Sequence, residues 1–358
     1  MQQGSSTAAP SCPEGSSDFA SGQKVDGTRS AWRTTVLRVA PAGVRPHLRR
    51  LAGVERGLTE SMRQSTQEVL FRRLYSFWER LGVHVTPVTF ASTIPTLRSL
   101  DEGVFTRRSS LVGMDMREAS QIALLDDIST RFRDELTSIE GAAEPPWDFA
   151  MSEPSAFPAV DSHMLHCLLR MFRPRRYIEV GSGRSTLIAA RAALRNAEEG
   201  QPMDVTAVEP YPGGVLQQGF PGLTRLIRQG IEDAASGLVS ELRPGDVLFV
   251  DSSHHPRIDS DVGYLFLEVL PRLPVGVLVH VHDIFLPAEY PRQWVRENKV
   301  FPNEQYLLHA FLLHNTCWEV LWAGHYMHLL QPDALRSAFP TYRPAEHRPG
   351  SVWLRRIQ

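Results

Sequence analysis

The 358-residue chain holds only three cysteines, Cys12, Cys167 and Cys317, far apart along its length. An odd, scattered set supplies neither a disulfide framework nor a zinc site, so a reducing, cytoplasmic setting is expected. Long apolar runs are also missing. No stretch of about eighteen apolar residues occurs, and no transmembrane helix is expected. Charge of one sign is absent too: the formal net charge is -2, which gives no global pull toward nucleic acid or membrane. The Ser-, Gly-, Ala- and Pro-rich opening lacks the apolar stretch of a secretion signal. Residues 1–28 are expected to form a disordered tail.

What is present is an ordinary globular composition, 42% apolar and 22% charged. Residues 29–145 read as a helical N-terminal cap region. Its first part is rich in arginine, which is the composition of a solvated helix face or of an arm for an anionic partner. Leu58, Met62, Val69, Leu70, Leu74, Phe77, Trp78 and Leu81 recur near helical spacing. A second helix is expected from Asp115 to Glu140, and Glu144-Pro-Pro146 marks a boundary.

From residue 146 to 358, strand and helix patterns alternate. Short apolar runs at Arg176–Val180, Val205–Glu209, Thr224–Arg228, Asp246–Asp251 and Val277–His282 suit strands buried on both faces. Strands alternating with helices argue for an α/β fold with a doubly wound parallel sheet. Two late segments, Cys317–Trp322 and Ser351–Arg355, are placed to close its far edge.

The first strand runs into Glu179-Val-Gly181-Ser182-Gly183-Arg-Ser185-Thr186. Glycines at a strand-to-helix turn let a ligand approach the backbone, and the helix start offers free N–H groups. A dinucleotide fingerprint needs a third glycine where Thr186 stands. Glu179 suits a ligand bearing an ammonium group. Glu209, ending the second strand, can accept two ribose hydroxyls.

These residues resemble the first two motifs of class I S-adenosylmethionine-dependent methyltransferases: an acidic residue before G-x-G, then an acidic residue ending the second strand. Glu179, Gly181, Gly183 and Glu209 match. The resemblance implies a Rossmann-like seven-stranded domain. It implies that the turn, with Ser182 and Ser185, holds the methionine moiety and that Glu209 holds the ribose. Gly230 and Ile231 would lie near adenine, and Asp251 would border the same cofactor.

The fourth strand ends in Asp251-Ser-Ser-His254 and the fifth in His282-Asp283. Both tips belong on the rim of the sheet that carries the glycine turn. One chemistry places a divalent cation on Asp251, His282 and Asp283, with His254 removing the acceptor's proton. The other is metal-free, with His254 or His282 as the base. The layout is similar to cation-dependent O-methyltransferases of antibiotic and sugar pathways, except that His282 stands where a carboxylate is usual. That departure favours a softer metal or none. The tips, with Ser260–Val262 and Glu268–Leu273, also resemble a bacterial branch of methyltransferase-like proteins bearing D-S-S-H and H-x-H-D-I-F-L-P.

The expected function is methyl transfer to a hydroxyl oxygen, less a nitrogen, of a small molecule in a biosynthetic pathway. Tyr290, Trp294, Phe301, Asn303, Gln305 and Tyr306 are placed either to wall the acceptor or to pack a cover helix. Arg107 and Arg108 can reach an anionic acceptor. No nucleic-acid or membrane partner is expected, and a homo-oligomer is allowed. The rivals are a nicotinamide oxidoreductase, a non-catalytic protein that keeps the fold, and a methyltransferase fold repurposed for other metal chemistry.

Overall fold

A computed structural model of the protein describes residues 71–72, 74–140, 144–153 and 157–358. The expected tail and most of the arginine-rich segment lie outside the described residues. The chain divides into two compact units, residues 1–93 and 94–358. The described part of the first includes helical turns within 71–80. No helix among the described residues is long and apolar enough to cross a membrane.

The second unit begins with residues 94–117, an irregular strap of turns with one 3-10 helix at Glu102–Phe105. Helices start only at α1 (Glu118–Arg131) and α2 (Arg133–Glu140). The region expected to be helical is therefore part strap and part helix. Arg117 stands before α1 at φ 49°.

Alternation then sets in: α3 (Ala159–Phe172), β1 (Arg176–Val180), α4 (Arg184–Glu198), β2 (Asp204–Val208), α5 (Gly214–Gln218), β3 (Arg225–Ile227), α6 (Ile231–Leu238) and β4 (Val247–Val250). Next come α7 (Asp261–Tyr264), which continues through a π turn at Leu265–Val269, β5 (Leu278–Val281) and α8 (Glu304–Leu312). The chain ends with β6 (Trp318–Ala323), α9 (Gly324–Leu330), α10 (Pro332–Ala338) and β7 (Val352–Arg356).

The seven strands form one sheet in the order β3-β2-β1-β4-β5-β7-β6. β1 to β5 are mutually parallel, and β7 inserts antiparallel between β5 and β6. This is the doubly wound, Rossmann-like sheet, with the two late segments closing its edge as expected. The continuous apolar runs follow from burial on both faces. Tyr177, Val205 and Phe249 join one core layer with α3 and α4. Ile178, Val208, Leu248 and Val250, which alternate with them along the same strands, join the other with α6, α7 and α8.

The strand order reverses between β1 and β4, whose C-terminal ends leave a crevice. The strap docks farther along that rim. Leu97, Leu100 and Phe105 pack on Phe285, Tyr290 and Val295, and the Ser109 N–H donates to the Pro287 carbonyl at 2.8 Å.

Candidate functional site

A cavity of about 860 Å³ opens at this crevice, lined by the Gly181–Ser185 turn, Glu209, Gly230–Glu232 and Asp251. All the sequence-selected cofactor residues except Glu179 border it.

The two glycines of the turn have different tasks. Gly181 has φ +78°, and a Cβ there would lie 1.8 Å from the carbonyl oxygen of Asp251. Its bareness is required for the passage of β1 beside β4, at a place that also borders the cavity. A Cβ on Gly183 would meet nothing within 4 Å. Gly183, on the cavity wall, is the one whose bareness leaves room for a ligand. Its N–H donates to the Thr186 hydroxyl at 3.0 Å. Thr186 thus closes the turn from the position where a dinucleotide site would have glycine.

Glu179 lies beneath this turn and is fully buried. Its Oε1 accepts a hydrogen bond from the Ser185 hydroxyl. Its Oε2 is buried with no hydrogen-bond partner, a costly condition unless a ligand supplies one. Burial, with help from the charges of Asp251 and Glu209, lifts this carboxyl to about 8 against the hydrogen bonds of Ser185 and Thr186.

Glu209 is held by backbone donors. Its Oε2 accepts from the Ser182 N–H at 3.1 Å, and its Oε1 from the Tyr211 N–H at 2.8 Å. The glycine turn and the β2 tip are therefore tied together through one carboxylate. Each oxygen keeps capacity for a further donor. Ile231 is buried at the start of α6, and Gly230 and Glu232 flank it on the cavity wall.

At the tips of β4 and β5 the four acid and imidazole groups do converge. His254 Nε2 lies 3.3 Å from Asp251 Oδ1 and 3.3 Å from Asp283 Oδ2. His282 Nε2 lies 3.5 Å from Asp283 Oδ1. One donor atom each from Asp251, His282 and Asp283 lie within 4.8 Å of one another. Two carboxylates and an imidazole at that spacing are a chemically suitable donor set for a divalent cation. His254 and Asp283 both adopt left-handed backbone conformations, φ 59° and 57°. Such conformations are uncommon outside glycine and persist where surrounding structure enforces them.

The residue that sequence reasoning missed is Glu304. It lies at the start of α8, 1% exposed, and its Oε2 is 2.9 Å from His254 Nδ1. The N–H groups of Asn303 and Glu304 both donate to the His254 carbonyl, at 3.1 and 3.2 Å. Burial opposes a charge on His254. Hydrogen bonds to Asp251 and Glu304 and the charge of Asp283 outweigh it and raise the imidazole to about 11. His254 thus sits among three acidic side chains that favour its protonated form. Asn303, Gln305 and Tyr306 were singled out around Glu304, but an isolated glutamate at a helix start looks like an ordinary N-terminal charge.

The aromatic segment after Pro287 divides between the two alternatives. Tyr290 is buried, its hydroxyl accepting from the Gln305 N–H at 2.9 Å, and the Gln305 side chain ties Phe285 to Ala288. These two are packing residues. Trp294, with Val300 and Pro302, walls a second cavity of about 260 Å³ that also touches His254, His255 and Asp283. Ser253 borders both cavities. Arg107 is paired with Asp101. Arg108 lines a separate cavity with Pro287 and Tyr326.

Residues 178–284 match the family model described as a methyltransferase domain. An uncharacterized protein of Archaeoglobus fulgidus is 24% identical over 180 residues, covering 48% of this chain and 80% of that protein. The matched segment runs from the third residue of β1 to the residue after Asp283, and so contains the glycine turn and both acid and imidazole tips. Methyl transfer is the general activity that such a domain supports.

Proposed function

We propose that this protein transfers a methyl group from S-adenosylmethionine to a hydroxyl oxygen of a small molecule. The observation that carries the reading is the unpartnered Glu179 Oε2 buried beneath the bare Gly183 turn, with the Glu209 carboxylate across the same crevice. An ammonium group at the turn would supply the missing partner of Glu179, and ribose hydroxyls would use the remaining capacity of Glu209. Gly230 and Ile231 would flank the adenine. Ser182 and Ser185 would form the wall beside the methionine portion.

The smaller cavity beside Trp294 fits a small acceptor, with its hydroxyl directed to His254 and Asp283. Ser253, shared by both cavities, marks where donor and acceptor would meet. Asp251, His282 and Asp283 would hold a divalent cation. Such a cation would polarise the acceptor oxygen and offset the acidic charge that favours the protonated form of His254. His254, oriented by Glu304, would then take the hydroxyl proton through Nε2. Closure of the site around both ligands would exclude water from the transfer.

Titration calorimetry with S-adenosylhomocysteine, followed by labelled-methyl transfer to a panel of phenols and sugars, tests the reading. Heat with a stoichiometry near one and a product heavier by one methyl are expected. Absence of heat would refute it. Heat without methylation of any hydroxyl, in a protein that purifies with metal, would favour the repurposed metal chemistry instead.

A further inference from the structure

The imidazole at the β5 tip is held from behind by a buried hydroxyl. Alternation along β5 puts His280 and His282 on the same face. His280 is stacked on Phe249, ring centroids 3.7 Å apart, and its Nε2 lies 2.8 Å from the Ser351 hydroxyl. Its Nδ1 is buried, with the Val250 backbone beside the ring. His282 Nδ1 lies 3.4 Å from the same hydroxyl.

Ser351 is fixed in turn by Asp161 of α3. The carboxylate of Asp161 accepts the Gly350 N–H at 2.8 Å and the Ser351 N–H at 3.1 Å, and it also takes a hydrogen bond from the Ser351 side chain. A hydroxyl has one proton to give and two lone pairs to offer. The Ser351 hydroxyl lies between Asp161, His280 Nε2 and His282 Nδ1. With its own proton given to Asp161, it offers a lone pair to His282 Nδ1 and favours the tautomer protonated there. The Nε2 edge of His282 is left on the side of Asp283. The same turn is tied to the chain next to the other ligand, the Ile284 N–H donating to the Gly350 carbonyl at 2.8 Å.

We infer that Ser351 and Asp161 orient His282 as a nitrogen ligand, and that the Asp251, His282 and Asp283 site selects a borderline transition-metal dication over magnesium. The inference rests on the cation-assisted reading above. Magnesium demands oxygen ligands in near-ideal octahedral arrangement and manganese shares its preference for oxygen, whereas imidazole suits zinc, nickel or iron. Outer partners of a ligating imidazole fix its tautomer and ring orientation. Here they form a dedicated buried chain from a helix 189 residues before Gly350.

The test is calorimetric titration of the full chain with manganese, zinc and magnesium chlorides, without acceptor or methyl donor. The wild type is expected to prefer zinc over both magnesium and manganese. His282→Asp should shrink that preference at least about tenfold by restoring an all-oxygen set, and Ser351→Ala should weaken zinc binding about tenfold. A preference that survives His282→Asp unchanged would overturn the inference, as would a wild type that binds no metal. The His282→Asp comparison decides the matter even where Ser351→Ala fails to fold. A parallel titration with S-adenosylhomocysteine separates the two levels: its heat without metal binding fells only this inference, and its absence fells the donor reading.

Discussion

Gly181 stands so close to Asp251 that a Cβ on the first would overlap the carbonyl oxygen of the second at 1.8 Å. The Asp251 N–H donates in turn to the Val180 carbonyl at 2.9 Å. The β1 and β4 tips are thus locked backbone to backbone at the crevice. Gly181→Ala is expected to cost more than about 4 kcal/mol or prevent soluble expression, because neither backbone can yield. Gly183→Val should fold with a near-native melting temperature and lose at least about tenfold in S-adenosylhomocysteine affinity. Thermal melts and calorimetry on the two variants check the division of labour. A soluble, stable Gly181→Ala protein would contradict it.

Glu179 yields a pH prediction. Burial lifts its carboxyl to about 8 in the free protein. A cationic amine needs the ionised form, so binding below that pH must expel a proton. Affinity for S-adenosylhomocysteine should tighten as pH rises from 6 to 8, by up to about tenfold per unit, and level off above. Glu179→Gln should weaken binding and flatten the profile. A steep profile retained in the glutamine variant would assign the titration to another group.

The contact from Glu304 to His254 should matter for turnover and not for the donor. Glu304→Gln keeps the size of the side chain and removes the charge that orients Nδ1. Methyl transfer is expected to fall about 10²-fold with S-adenosylhomocysteine affinity unchanged. Equal kcat in the variant, measured with any competent acceptor, would reduce Glu304 to a packing role.

Acid stability should report a network remote from the crevice. Burial of Glu135 raises its carboxyl, but hydrogen bonds from His166 and Arg170 override this and bring it to about 2. A folded-state pKa below the unfolded value means stability present above about pH 4.5 and lost as pH falls through 2. The shift corresponds to about 3 kcal/mol at neutral pH. Urea midpoints of wild type and Glu135→Gln should therefore differ at pH 7 and converge near pH 2. A difference that persists at pH 2 would point to shape rather than charge.

Much of this molecule was legible along the chain. Apolar runs of strand length, glycines after the first of them and carboxylates at strand ends each report local period or local backbone need. Such signals place strand tips on one rim because parallel crossovers leave no other arrangement. Asp251, His254, His282 and Asp283 were found together for that reason. The aromatic stretch after Pro287 was ambiguous because Tyr290 and Trp294 read alike, and only their depth separates packing from cavity wall. Composition marks 29–145 only broadly as a helical cap, with a helix expected from about Asp115, and the strap at 94–117 carries no period that would announce where it docks. Its side chains serve the β5 loop and not a helix face of their own.

Periodicity and composition, then, were enough to establish an α/β sheet, its order of elements and the crevice with its acid and imidazole rim. Three-dimensional packing alone settled that Gly181 serves a neighbouring strand, that Glu304 holds an imidazole 50 residues away and that Asp161 reaches Ser351 across 190. The cause is physical. Local pattern records which way a side chain faces, whereas a partner depends on register and approach between segments that the chain brings together only when the core closes.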